Sequence, residues 1–166
     1  MFYLAGLASF PIDQIGLAAA QAAADGTSVN LAGSAEAFYD TTVARDVFAA
    51  ALAADPTINA VIASGDQMAL GAEQAAADAG LSVRIAGAGA GSSALDAVRE
   101  GRWYATATSL PRTEGRLVTE LLVRALRVRP AAPAGVDPVA ESGLPLWWTA
   151  ATLAEHPELT GEWPGP

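Results

Sequence analysis

Cysteine and lysine are absent from this chain of 166 residues, and histidine occurs once, as His156. Without cysteine there is neither a disulfide nor thiol chemistry, and one histidine cannot form the His/Cys clusters that hold zinc. We therefore expect no metal and no cofactor. The nine basic residues are all arginine and face 18 acidic ones, which gives a formal net charge of −9. This balance argues against nucleic-acid and anionic-membrane partners, because both bind basic surfaces.

Long apolar runs are also missing, since no stretch reaches the roughly 20 apolar residues that a membrane span needs. The segment 1–24 is apolar, but it lacks a basic start and contains Pro11 and Asp13. We interpret it as a strand followed by a helix and expect no signal peptide in it. A chain of this length makes about one domain, which can bury roughly 70% of its unfolded surface.

Short apolar runs alternate with helical patterns along the chain. The predicted strands are 2–9, 29–32, 58–64, 83–88 and 103–109. The predicted helices are 12–24, a helix that Thr41 or Thr42 caps and Asp55-Pro56 ends, 67–79 with Asp66 as its cap, 94–99 and 112–128. Apolar strands separated by helices indicate right-handed βαβ crossovers. The sequence thus predicts an α/β fold, a doubly wound and mainly parallel sheet of about five strands sandwiched by helices.

The last quarter of the chain is rich in proline and glycine. The stretch 129–145 cannot continue the preceding helix and is interpreted as a strap or linker. Residues 146–153 are predicted as a final strand, followed by an irregular tail. The expected organisation is a ligand-binding lobe over 1–128 that includes a covering helix, a strap over 129–145, and a final strand and tail over 146–166.

Candidate binding residues follow the predicted strands, because ligands of open parallel sheets bind at the carboxyl ends of the strands. Asp66 could contact a ligand or simply cap its helix. The aromatic side chains of Phe38, Tyr39 and Trp103 could stack on a ligand or pack as core. The candidates at strand ends are Phe10, Asp13, Phe38, Tyr39, 65–67, 89–92 and Ser109.

The glycine-rich segment 87–92 could be a tight turn or a phosphate-binding loop. It lacks the third glycine of the dinucleotide pattern, so the turn is favoured. Catalysis is not expected, because the serines at strand ends have no histidine partner and the acidic residues are mostly on helix surfaces.

The segment 54–72, with the motif SGDQMALGA, closely resembles the type I periplasmic solute-binding proteins of sugar ABC transporters. The resemblance continues, in that family's order, through 83–87, 94–102, 105–111 and the closing 162–165. It covers nearly the whole chain but only the C-terminal half of such a protein. It implies one lobe of a two-lobe clamp that recognises a sugar-like solute without catalysis. It also implies an ABC permease as partner and a periplasmic or otherwise extracytoplasmic location.

The implied ligand-binding residues depart from the family at four positions. Asp13 stands where the family has Arg, Gly65 where it has Asn, Gly89 where it has Asp, and Ser109 where it has Gln. An alternative is therefore a stand-alone flavodoxin-like interaction or dimerisation domain that has lost sugar binding. The full set of expected ligand-binding residues is Phe10, Asp13, Tyr39, Gly65, Asp66, Gln67, Gly89 and Ser109.

The helix 112–128 carries an apolar stripe that the family covers with its other lobe. Leaving it exposed would forgo on the order of 10 kcal/mol. We therefore expect this helix to fold back on its own sheet or to pair with a second copy in a homodimer. The stripe comprises Leu117, Val118, Leu121, Leu122 and Leu126.

Overall fold

The computed structural model describes residues 1–128 and 135–166. Within these residues six strands and seven helices alternate along most of the chain. The strands are β1 (Phe2–Ala5), β2 (Gly33–Glu36), β3 (Ala60–Ala63), β4 (Arg84–Ala88), β5 (Ala105–Ala107) and β6 (Trp147–Thr149). The helices are α1 (Pro11–Ala24), α2 (Thr41–Ala54), α3 (Asp66–Asp78), α4 (Ser92–Arg99), α5 (Pro111–Val128), α6 (Pro138–Ser142) and α7 (Ala150–Ala154).

The strands form one sheet in the order β2-β1-β3-β4-β5-β6. β1 to β5 are parallel, and β6 adds an antiparallel edge to β5. The predicted α/β class with a mainly parallel sheet flanked by helices is confirmed, with six strands rather than about five. Because β1 to β5 are parallel, the loops that follow them all open on one edge, and the strand order changes direction between β1 and β3.

Successive strand residues face opposite sides of the sheet, and two apolar clusters lie on these sides. The larger cluster joins strand residues such as Leu4 and Val61 to Phe48 of α2 and Met68 of α3. The smaller cluster lies under α1 and has Tyr3, Ala5 and Ala20 as its buried members. The core is therefore concentrated on the side of α2, α3 and α4.

Several predicted strands have the wrong bounds, since the strand expected over 2–9 ends at Ala5 and the one expected over 103–109 is limited to Ala105–Ala107. The segment 29–32 precedes β2 rather than forming it, because the register pairs Phe2 with Gly33 and Ala5 with Glu36. Val29 is instead half exposed beside the turn at Thr27. At the other end, the strand expected over 146–153 is only three residues long, because Thr149 caps α7 through the Thr152 backbone N–H.

Two predicted caps are also wrong. Asp40, not Thr41 or Thr42, caps α2 by accepting a hydrogen bond from the Val43 backbone N–H at 2.8 Å. Gly65 is the cap residue of α3, and Asp66 is the first residue within the helix. The carboxylate of Asp66 points into the core, where it accepts hydrogen bonds from groups of other elements.

The expectation that α5 folds back on its own sheet is wrong. Val118, Leu122 and Leu126 are 65%, 58% and 75% exposed, whereas Leu117 and Leu121 are half-buried. The first turn of α5 is held by the tail: Glu162 accepts bonds from the backbone N–H and the hydroxyl of Thr113. These contacts fasten the amino end of α5 to the tail. Residues 129–134 of the predicted strap lie outside the described residues, and the remainder contains α6.

Candidate functional site

Five loops meet at the carboxyl edge of the sheet, one after each parallel strand. They are 6–10, 37–40, 64–65, 89–91 and 108–110. Every residue of the predicted site lies in one of these loops or in the first turn of the helix that follows it. The predicted residues therefore all lie along the carboxyl edge of the sheet, and the side-chain contacts decide what each of them can do.

Asp13 lies in the first turn of α1 and is only 2% exposed. Its carboxylate accepts hydrogen bonds from the backbone N–H groups of Gly6 and Leu7, both at 2.9 Å. Burial raises the pKa of Asp13, but bonds from these N–H groups, Ser64 and Tyr39 outweigh it and lower the pKa below its usual value. Asp13 therefore stays ionised and ties the β1–α1 loop to its helix.

The phenol of Tyr39 completes this cluster by donating to Asp13 Oδ2 at 3.1 Å. Burial, followed by the hydrogen bond to Asp13, raises the pKa of Tyr39 to about 12. The ring lies against two glycines. A Cβ added at Gly6 would come within 1.9 Å of the ring, and one at Gly65 within 2.9 Å. Gly65 therefore leaves the space that Tyr39 fills, which gives a local reason for glycine where the resembling family has Asn.

Backbone strain concentrates in the same loops. Phe38 and Tyr39 both have φ of 54°, and Ala90 has φ of 47°; these are the non-glycine residues with positive φ in the described chain. Such a conformation costs of order 1–3 kcal/mol per residue and clusters at functional sites. Phe38 is 55% exposed at this edge, and Phe10 is 46% exposed there.

Asp66 is fully buried and connects two further elements. It accepts hydrogen bonds from the Thr106 hydroxyl of β5 at 2.7 Å and from the Gly91 backbone N–H at 3.0 Å. Burial raises the pKa of Asp66, and these two bonds only partly offset that effect. A Cβ at Gly87 or Gly89 would come within 2.6 or 2.7 Å of its carboxylate oxygens.

These contacts support the tight-turn interpretation of 87–92. Its glycines make room for Asp66, and its backbone N–H groups have protein acceptors. Gly91 donates to Asp66, and Ser92 and Ser93 donate to the backbone oxygens of Trp163 and Pro164, both at 3.0 Å. A phosphate would have to displace all of them.

Trp163 also lies at this edge, although it was not among the predicted residues and only the segment 162–165 was part of the resemblance. Its indole N–H donates to the Gly89 carbonyl at 2.9 Å, and its ring lies 3.0 Å from a Cβ built at Gly89. The tail thus covers the β4–α4 turn. Sequence distance hid this contact, because 74 residues separate the two partners.

The structure groups the predicted residues into two clusters. Asp13, Tyr39, Gly65 and Gln67 are neighbours, with a Cβ at Gly65 3.0 Å from the Gln67 side-chain oxygen. Asp66 and Gly89 form the second cluster beside Trp163. Phe10 precedes α1 as its cap residue, and Ser109 follows β5 as a half-buried residue. Within residues 1–128 and 135–166, the side chains of Gln67 and Ser109 make no hydrogen bond.

The described residues were searched for metal-binding groups and for helices that could span a membrane. No group of three or more His, Asp or Glu residues there could hold a metal ion. In the same parts of the chain, no helix is both long and apolar enough to cross a membrane. The two buried carboxylates are each bound by backbone and hydroxyl donors, an arrangement that positions loops.

The carboxyl ends of the strands are where open parallel sheets bind their ligands. The family model of the periplasmic binding protein domain matches residues 2–129, and the chain belongs to this family. By structural similarity, the family is one of non-catalytic solute-binding proteins. No curated protein matches the chain.

Solved structures of ABC transporter solute-binding proteins are similar over about half their length. One from Actinobacillus succinogenes 130z with bound D-allose is 24% identical, with a TM-score of 0.78 over 93% of this chain and 54% of that chain. One from Bacillus halodurans C-125 with bound myo-inositol is 24% identical, with a TM-score of 0.74 over 93% of this chain and 52% of that chain. One from Mycobacterium smegmatis with bound glycerol is 26% identical, with a TM-score of 0.72 over 86% of this chain and 53% of that chain. The chain therefore corresponds to one lobe of such proteins.

Proposed function

We propose that this chain recognises a sugar or polyol for an ABC-type importer, without catalysis, as one lobe of a two-lobe clamp. It would correspond to the C-terminal half of such a protein, act outside the cytoplasmic membrane and dock on an ABC permease. The observation that carries the proposal is the carboxyl edge, where five loops bring strained and exposed aromatic side chains together on a family-typical lobe.

Aromatic rims suit this ligand class. The apolar faces of a sugar ring pack well on flat aromatic surfaces, while the hydroxyl groups need hydrogen-bonding partners. Phe10 and Phe38 offer the exposed rings. The strain at Phe38 supports a binding role, because a positive φ at a bulky residue persists only where the surroundings impose it.

The polar contacts divide the predicted site residues by role. Gln67 and Ser109 have side chains free for a ligand within the described structure, and the Tyr39 oxygen can still accept a hydrogen bond after donating to Asp13. Asp13 and Asp66 are already engaged with protein donors, so we assign them to loop positioning. Gly65 and Gly89 leave space beside Tyr39 and Asp66.

A neutral ligand fits this edge better than an anionic one. The proposed residues include no arginine, and the Asp13 carboxylate, kept ionised by its donors, adds negative charge. A sugar phosphate would meet repulsion there and would find the turn N–H groups occupied. Neutral sugars and polyols are therefore the proposed class.

A thermal-shift screen tests the proposal with D-allose, D-ribose, myo-inositol and glycerol as probes. A ligand present at 100 times its dissociation constant stabilises the folded chain by about 2.7 kcal/mol, which raises Tm by several degrees in a domain of this size. Phe38→Ala is the test variant, and Tyr104→Ala, at a 65% exposed ring away from the carboxyl edge, is the matched control. The expected result is a shift that Phe38→Ala abolishes and Tyr104→Ala retains.

One observation favours a second candidate. Asp13 and Asp66 are bound internally and α5 leaves an apolar surface exposed, which suits an interaction or dimerisation domain that has lost solute binding. A folded dimer with no thermal shift for any of the four probes would support this alternative over solute recognition.

A further inference from the structure

Residues 161–165, here called the tail segment, pack closely on the turn between β4 and α4. A Cβ added at Gly161 would come within 2.5 Å of the Ala90 oxygen and within 2.5 Å of the Ser92 nitrogen. Both are backbone atoms, which cannot move aside as the end of a flexible side chain can. The contact between the tail segment and the turn therefore depends on glycine at position 161.

The indole of Trp163 lies on the same turn. Its N–H donates to the Gly89 carbonyl at 2.9 Å. The point that a Cβ at Gly89 would occupy is 3.0 Å from the indole ring and 2.7 Å from Asp66 Oδ2. The ring and the Asp66 carboxylate both approach Gly89 closely, so Trp163 fills part of the space that a side chain at position 89 would take.

Each backbone N–H group from 89 to 93 has a protein acceptor. Groups of β5 and the Asp66 carboxylate accept hydrogen bonds from the first three. The carbonyl oxygens of Trp163 and Pro164 accept from the last two, both at 3.0 Å. The tail segment therefore completes the hydrogen bonding of the turn.

The turn has an unusual backbone that these contacts hold in place. Ala90 has φ of 47° and Gly89 has φ of 141°. A positive φ at a residue with a Cβ persists only where surrounding contacts impose it. β5 and Asp66 supply one set of these contacts, and the tail segment supplies the other. Loss of the tail contacts is therefore expected to relax the turn without unfolding the sheet.

The tail segment is also fastened to the start of α5. The Arg112 guanidinium donates to the Glu162 carbonyl at 2.9 Å. The Glu162 carboxylate accepts from the Thr113 backbone N–H at 2.9 Å and from the Thr113 hydroxyl. The tail segment thus connects the two loops of the carboxyl edge that follow β4 and β5.

We propose that Trp163 is a positioning residue of the solute site, which fixes from the tail the turn that meets a neutral sugar or polyol. This role depends on the solute recognition proposed above. Because the N–H groups of the turn are occupied, the turn offers a ligand only acceptors. The Gly89 carbonyl uses one lone pair for Trp163 and keeps the other for a ligand hydroxyl.

The test is an amide nuclear magnetic resonance titration of Trp163→Phe, which keeps an aromatic ring but has no N–H. The probe is whichever of D-allose, D-ribose, myo-inositol and glycerol binds wild type most tightly. The dissociation constant is expected to rise at least about fivefold, the factor that corresponds to one typical net hydrogen bond. The ligand-induced shifts of 89–91 should be lost, while those of 37–40 remain. Trp103→Phe is the matched control, because it also loses an indole hydrogen bond, to Glu73 at 2.8 Å, and should keep the affinity and both sets of shifts.

A second variant disturbs the same contact and leaves the indole in place. Gly161→Ala brings a Cβ against the backbone of the turn and should reproduce the loss of affinity and of the shifts at 89–91. Gly115→Ala is its control, because a Cβ at Gly115 meets nothing within 4 Å. Circular dichroism verifies that each variant is folded, and the Gly161 pair decides the question if Trp163→Phe is not.

The outcomes separate the positioning role from solute recognition itself. Wild-type binding that Trp163→Phe and Gly161→Ala leave unchanged would overturn the positioning role alone. So would a loss of ligand-induced shifts that is equal at all five loops, because a general loss of stability would explain it. No binding of any probe to wild type would contradict solute recognition, and the positioning role with it.

Discussion

The buried carboxylate of Asp66 gives the most specific stability prediction. Replacing Asp66 with Ala removes the acceptor of two hydrogen bonds, from Gly91 N–H and from Thr106 Oγ1, and both bonds are buried. Each buried donor left without a partner lowers the free energy of unfolding by about 1–3 kcal/mol. Removing the buried carboxylate also removes its desolvation cost, which offsets part of this loss. The net expectation is a loss of about 2–4 kcal/mol, a large share of the 5–15 kcal/mol typical of a domain.

Urea unfolding at pH 7, followed by far-ultraviolet circular dichroism, measures this loss. With a slope of about 1–3 kcal/mol per molar urea, the Asp66→Ala midpoint should fall by about 1–2 M. Asp66→Asn is the matched control, because its amide can accept from Gly91 and donate to Thr106, and it should retain most of the stability. A change below about 0.5 kcal/mol in Asp66→Ala would refute the tethering role, because that range is typical of surface substitutions without such contacts.

The remaining predictions concern Gly65, Glu162 and the acid dependence of stability. Gly65→Asn places a Cβ 2.9 Å from the Tyr39 ring and should lower the free energy of unfolding, measured by urea unfolding, by about 1–2 kcal/mol through overpacking. Gly65→Ala should show most of this loss. An Asn variant as stable as wild type would mean that the Tyr39 ring moves freely. Glu162→Ala should make the amide hydrogens of 113–117 exchange about tenfold faster, because Glu162 accepts from Thr113, whereas Glu158→Ala in the same tail should leave them unchanged; equal exchange in both variants would contradict the anchoring role. The pKa of Asp13 is lowered, so the stability of wild type relative to Asp13→Asn is present above pH 3.8 and lost as the pH falls further. The pKa of Asp66 is raised by burial, so the stability of wild type relative to Asp66→Asn should instead rise as the pH falls through the folded pKa of Asp66 toward 3.8. The free energy of unfolding of each variant is compared with that of wild type across this pH range. A difference that does not change with pH would contradict the pKa direction given for that carboxylate.

Much of the fold could be predicted from sequence because apolar runs and helical patterns alternate strongly. The order of the elements and the parallel sheet followed from that alternation, and the carboxyl edge as the place of the site stays a prediction. Element ends could not be predicted as well. Val29 looks like a strand residue, but pairing with β1 begins only at Gly33.

The site was predictable as a set of loops but not as a set of contacts. The pairing of Asp13 with Tyr39 depends on the positive φ at Phe38 and Tyr39, which no residue preference indicates. The role of Asp66 depends on its aim toward Thr106, 40 residues away. Trp163 was missed for the same reason, because only the folded chain brings the tail to Gly89.

The apolar pattern of α5 was sufficient to predict the helix but not its packing. The stripe correctly indicated a helix, but patterning carries no information about which surface, if any, packs against its apolar face. The contacts of Thr113 with Glu162, which hold the first turn of α5, depend on a tail 49 residues further along the chain.

The most direct test of solute recognition is titration of isotope-labelled protein with D-allose, D-ribose, myo-inositol and glycerol, followed by amide nuclear magnetic resonance. This method detects the weak binding expected of a single lobe. Recognition at the carboxyl edge predicts that one or more probes shift the amide signals of 6–10, 37–40, 64–67, 89–91 and 108–110, and leave the amino ends of the strands unchanged. Saturable shifts confined to other surfaces, or no shift with any probe, would contradict it.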